Sequence, residues 1–173
     1  MLTKIIQRGN KILRQIAQEV AREDIATRKI KNIIKNMTHL LAKEKNGVAL
    51  AAPQIGEPLR IFIVNGRIRK KLPEDTKKNI PPMVFINPVI KKTSKKKLAM
   101  EEGCLSIPNL YGIVKRSEKI TIEAYNEKGR KFILGASGIL SQIIQHEMDH
   151  LNGVLFIDKA TRLERVENLK RKE

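Results

Sequence analysis

The segment Gln145–His150, QHEMDH, carries two histidines four residues apart with a glutamate after the first. On a helix that spacing puts His146 and His150 on one face, where both rings reach a single divalent ion. Glu147 then stands beside the first ligand, placed to accept a proton from an activated water. The HExxH pattern also arises by chance on amphipathic helices, so its context matters. The chain has three histidines and spends two of them here. The upstream residues Ile139, Leu140, Ile143 and Ile144 are apolar. A polar cluster at the end of such a helix needs partners.

Two histidines do not complete a catalytic site, which usually has three protein ligands and one open position. No histidine follows His150. Asp158, Glu164 and Glu167 are downstream carboxylates, in surroundings that read as solvated surface. Cys104 is the only cysteine, set beside Gly103 in EEGCLS. A small buried hydrophobe is the ordinary fate of such a residue. A thiolate ligand is the chemical alternative, and it makes Cys104 the better third ligand. At this point two enzyme classes stay open: an HExxH peptidase with a downstream third ligand, and a hydrolase that uses Cys104.

The elements that must position these residues follow from periodicity. Residues 9–20 carry Ile12, Leu13, Ile16 and Val20 at helical spacing. Residues 27–44 repeat the pattern with Ile30, Ile33, Ile34, Met37, Leu40 and Leu41, Thr27 as N-cap and Gly47 as a stop. Residues 48–52 and 59–64 read as strands around a PQIGEP turn, and Asn65-Gly66 as a hairpin-type turn. The charged stretch up to Pro82 reads as loop, and 83–90 as a strand until Pro88. KKTSKKK is a turn, followed by strand-like segments in LAMEEGCLSIP, GIVKRS, KITIEAY and KFILGA. Tyr125 to Lys131 makes a hairpin. Ser137 caps a helix that ends at Gly153, and residues 161–173 are helical in pattern. The order predicts one α+β domain over residues 1–173. Its short, mostly antiparallel strands pack around the central HExxH helix, with N-terminal helices and a C-terminal helix.

Composition bounds the function classes. Of 173 residues, 41% are hydrophobic and only 3% aromatic, so the core is aliphatic. No apolar run approaches the roughly 18 residues that span a bilayer. Charges interrupt the opening MLTKIIQRGNKILRQI where a signal peptide needs an unbroken apolar run. These features predict a soluble, cytoplasmic protein with no membrane partner and no disulfide partner. The net charge of +17 favours polyanions. A module docking on RNA is therefore a reading from a different class. Against it, so few aromatics make a poor stacking surface for bases, and RIRKKLPEDTKK and KKTSKKK read as solvated loops.

Three segments, taken together and in order, resemble the peptide deformylase family: GVALAAPQ (47–54), EGCLS (102–106) and QHEMDHLNG (145–153). The likeness extends to GNKILRQIA, YGIVKRS and GVLF, and is weakest in residues 66–82 and the tail. The resemblance implies removal of the N-formyl group from the initiator methionine of new proteins. By motif position, Cys104, His146 and His150 would bind one divalent metal, Fe²⁺ in the cell, with Zn²⁺, Ni²⁺ or Co²⁺ as substitutes. Glu147 would be general base and acid, and Gln54 with the Leu105 N–H would face the developing oxyanion. Gly47, Val48, Ala49, Leu50, Met100, Glu102, Ile139, Gln142 and Ile143 would surround the substrate, its backbone added as a strand beside 48–50. Asp149 would support the second histidine or anchor the helix. The partners implied are N-formylmethionyl nascent peptides and, through the basic body and tail, the ribosome near its exit tunnel. Two positions depart from the family: Ala49 replaces a usual Gly, and Gln142 stands where aliphatic or basic residues are common.

Overall fold

The structure, a computed structural model, describes residues 4–68 and 81–166. Among these residues it is α+β. One five-stranded sheet has the order β1-β2-β3-β6-β7, from Ala49–Ala51, Ile61–Val64, Met83–Thr93, Lys119–Tyr125 and Lys131–Ser137. A three-stranded sheet is formed by β4 (Lys97–Cys104), β5 (Ile107–Ser117) and β8 (Thr161–Arg165). Every strand pair is antiparallel. Helix α1 is Arg28–Lys43 and helix α2 is Gly138–Leu151.

At β1 and β2 the larger sheet is buried on both faces, which explains why β2 reads as an unbroken apolar run rather than an alternation. Ile61 and Ile63 face the cluster under α1, with Ile30, Ile34 and Met37. Phe62 and Val64 face the opposite cluster, with Phe85, Ile144 and Met148 of α2. Phe62 stacks on Phe85 at 4.5 Å between centroids. A third cluster of Leu13, Ile107, Val114, Leu155 and Phe156 lies beneath the smaller sheet. Helix α2 is thus held between the two sheets. No helix among the described residues is long and apolar enough to cross a membrane.

Several expected elements take another form. The helix over 9–20 shrinks to a 3-10 turn at Lys11–Arg14. Beyond it the backbone bonds outward: Ala17 N–H to Leu151 O, Gln18 N–H to Pro58 O, and Val20 N–H to the Asn87 side chain. These tertiary partners override the local apolar spacing. Thr27 precedes α1 as expected, but its hydroxyl donates to Asp24 O instead of capping. Helix α1 closes at Glu44, three residues before Gly47. Asn65-Gly66 leads into a further 3-10 turn instead of a tight two-residue turn, and β2 meets its antiparallel partner β3 only from Met83. Strand β3 runs on through Pro88, accommodated by a register shift beside Asn87 at φ 49°.

The expected C-terminal helix is replaced over Thr161–Arg165 by β8, paired with β5. Leu163 and Val166 are about half exposed there, so their helical spacing reflects no buried stripe. The rest of that expectation, residues 167–173, lies outside the described residues, as does most of the expected loop, residues 69–80. Helix α2 matches its expected limits, though Ser137 holds the N-cap position without a side-chain cap bond, and Gly153 follows its end at φ 72°. A Cβ there would lie 2.5 Å from Arg14 O, so only glycine fits.

Candidate metal centre

Cys104 ends β4, and His146 and His150 lie on consecutive turns of α2 where it passes under that strand. The Cys104 sulfur is 3.2 Å from His150 Nε2. One ligand atom from each of the three residues falls within 4.8 Å of the others. Metal–sulfur and metal–nitrogen bonds of about 2.3 and 2.1 Å need tetrahedral edges of roughly 3.5 Å, which this spacing accommodates. The downstream carboxylates are elsewhere: Asp158 pairs with Arg14, Glu164 is exposed on β8, and Glu167 lies outside the described residues.

Electrostatics suits a cation. His146 Nδ1 bonds Glu102 Oε2 at 2.9 Å, which turns Nε2 toward the cluster. Burial disfavours charge on His146, yet the Cys104 sulfur and the Glu102 carboxylate outweigh it and push the imidazole up to about 10. The donors therefore stabilise positive charge where they converge. His150 is held well below its ordinary value, by burial first and then by the His146 and Arg116 charges, so its ring is neutral and free to donate a lone pair. A Cys/His/His site able to chelate a divalent ion is thus present.

Glu102 is itself held by Arg116. Burial pushes the Glu102 carboxyl up, but hydrogen bonds from Arg116 and His146 prevail and hold it at about 2. Arg116 Nε and Nη2 reach its two oxygens at 2.7 and 2.9 Å, and Arg116 Nη1 reaches Asp149 Oδ2 at 2.6 Å. Lys159 closes the other side of Asp149 at 2.6 Å. This chain of charges ties β4, β5 and α2 together behind the ligands. Arg116 lies in YGIVKRS, where residue type and spacing alone assign it no role. The signal was a charge at an inward position of a strand, next to the buried Val114 and Ser117.

Gln54 lies in a 3-10 turn, Ala52–Ile55, directly after β1. Its Oε1 accepts from the Ala51 N–H at 2.8 Å, which fixes the amide orientation. Its Nε2 consequently faces Ser106 Oγ at 3.0 Å and the Cys104 sulfur at 3.6 Å. Ser106, fully buried, was not anticipated as a site residue. Glu147 is 4% exposed, and its Oε2 has no partner among the described residues. Burial pushes its carboxyl up to about 7, against the lowering effect of His146. A carboxyl balanced near neutrality can both take and return a proton.

These groups open into a cavity of about 470 Å³. Gln54, Glu102, Leu105 and Glu147 line it, as do Val48, Ala49, Ile139, Gln142 and Ile143. Of the other expected substrate residues, Gly47 and Met100 are not in the lining, and Leu50 is fully buried under α1. Strand alternation explains Leu50: Ala49 and Ala51 face the α2 side, so Leu50 points the opposite way. Tyr111 supplies a rim the sequence did not disclose. Its ring lies over Gly103, where a Cβ would sit 2.7 Å from the ring.

A sequence model of the polypeptide deformylase family matches residues 2–166. The chain belongs to that family. It is 42% identical over 152 residues to the peptide deformylase of Microchaete diplosiphon, covering 88% of this chain and 75% of the relative. Its fold matches the crystal structure of a peptide deformylase from Synechococcus elongatus in complex with actinonin, with a TM-score of 0.78 and 36% identity, over 92% of this chain and 79% of that one. A Met-Ala-Ser-bound class I type b peptide deformylase from Acinetobacter baumannii aligns with a TM-score of 0.79 and 30% identity, over 92% and 98% of the two chains. Family membership and the Cys/His/His cluster make the protein a metal-dependent hydrolase that deformylates N-formylmethionine.

Proposed function

We propose that Cys104, His146 and His150 hold one divalent ion, Fe²⁺ in the cell, with Zn²⁺, Ni²⁺ or Co²⁺ as substitutes. When bound, the ion supplies Lewis acidity, lowering the pKa of water and polarising the formyl oxygen. The chain's own residues do the rest. Glu147 takes the proton of the attacking water and returns it to the departing amide nitrogen, which leaves formate and a free α-amine. Gln54 Nε2 and the Leu105 N–H donate to the oxygen that becomes negative as the formyl carbon turns tetrahedral. The Ala51–Gln54 bond keeps the donor end of that amide facing the reaction.

The substrates are N-formylmethionyl chains as they are made, met in the cytoplasm, with residues 1–173 acting as one catalytic domain. The first side chain enters between Val48, Ile139, Gln142 and Ile143, beside Glu102, and the peptide backbone runs along 48–50 beside Ala49. The Met-Ala-Ser carried by the Acinetobacter baumannii relative supports this reading. We extend it to docking on the ribosome near the exit tunnel, supported by the +17 charge.

The observation that carries the assignment is the convergence of the three ligand atoms beside a buried carboxylate with a free oxygen. The test is anaerobic purification, metal analysis, and formate release from formyl-Met-Ala-Ser. One metal per chain and stoichiometric formate are expected. Cleavage inside longer peptides without formate release would contradict it.

A further inference from the structure

Along α2, residues Ile139, Gln142, Ile143 and His146 follow the i, i+3, i+4, i+7 spacing and all line the cavity. Between the first isoleucine and the histidine, Gln142 is the one polar side chain of that stripe. It is only 5% exposed. Its Nε2 donates to the Glu101 carbonyl at 2.8 Å and bridges α2 to β4. An amide nitrogen carries two hydrogens, so this bond leaves a second N–H. Helix geometry sets Gln142 one turn before His146 on the same cavity wall.

A thioether sulfur is a weak acceptor. A methionine side chain entering here displaces water from the amide and gives it little in return. A sulfoxide has the same unbranched length and a strongly accepting oxygen. The surrounding Val48, Ile139 and Ile143 still cover its methylenes.

We propose that Gln142 is a specificity-determining residue whose second N–H lets the pocket take N-formyl peptides beginning with methionine sulfoxide alongside those beginning with methionine. The inference rests on assigning this cavity to the side chain of the formylated residue. Because Gln142 lies on one wall only, one of the two sulfoxide epimers is preferred.

The test compares kcat/KM for formyl-Met-Ala-Ser, its separated sulfoxide epimers and formyl-norleucine-Ala-Ser, in wild type, Gln142→Leu and Gln142→Met. Both variants keep an unbroken apolar stripe, and the methionine variant, closest in shape, carries the test if the leucine variant misfolds. Losing one hydrogen bond should lower the sulfoxide-to-methionine ratio by about tenfold. The methionine-to-norleucine ratio should hold, since neither side chain uses the amide. An unchanged sulfoxide ratio in a variant with wild-type melting overturns the proposal. Absence of formate from formyl-Met-Ala-Ser with the wild type overturns the deformylation reading beneath it.

Discussion

Glu147 illustrates how one residue takes its chemistry from burial. Its carboxyl sits near 7 because the helix places it inside, with one oxygen unpartnered. Glu147→Gln keeps the shape and removes the proposed proton acceptor. Turnover should fall by about 10²–10⁴-fold with metal content unchanged, measured by formate release and metal analysis on the same sample. Gln54→Ala removes the donor that we propose faces the developing oxyanion, and kcat should drop by about 10²-fold. It also leaves the Ala51 N–H and the Ser106 hydroxyl buried without their partner, so a lower melting temperature should accompany the slower rate. At this scale the clustering of Cys104, His146 and His150 was legible from residue type and spacing. Arg116 and Ser106 were not, because their importance lies in side chains that meet across 14 and 52 positions of sequence.

The elements around the site show where periodicity is trustworthy. Helix α1 buries a continuous stripe against the larger sheet and α2 packs between both sheets, and both were readable. The N-terminal segment and the segment after Ala160 carry similar spacing, but the first gives its backbone bonds to the end of α2, the Pro58 loop and the Asn87 side chain, and the second pairs with β5. Pattern alone cannot register such a competition. Arg116 is the joint between elements. Arg116→Met should destabilise by about 3–5 kcal/mol in urea denaturation, because it strands Glu102 in the interior without its guanidinium and leaves Asp149 with Lys159 alone. Should Glu102 merely take up water instead, the midpoint would barely move. Gly153→Ala meets the Arg14 carbonyl and a left-handed backbone at once. A loss of about 1–3 kcal/mol is expected, with full activity in the protein that remains folded.

At the scale of the whole molecule, charge and chemistry separate. The lysines Lys91, Lys92, Lys95, Lys96 and Lys97 are all exposed, near the turn between β3 and β4 and outside the cavity lining. Contacts with phosphate release counterions, so ribosome association should weaken steeply between about 50 and 200 mM salt. Pelleting assays that show no salt dependence would leave the +17 as composition only. Turnover of a short formylated peptide should respond far less. The central claim is that this fold brings Cys104, His146 and His150 onto a single ion. The most direct measurement is metal-edge X-ray absorption on protein purified without oxygen. One sulfur at about 2.3 Å, with nitrogen or oxygen neighbours near 2.0–2.1 Å, is the predicted shell. A shell without sulfur in the active protein would contradict the account.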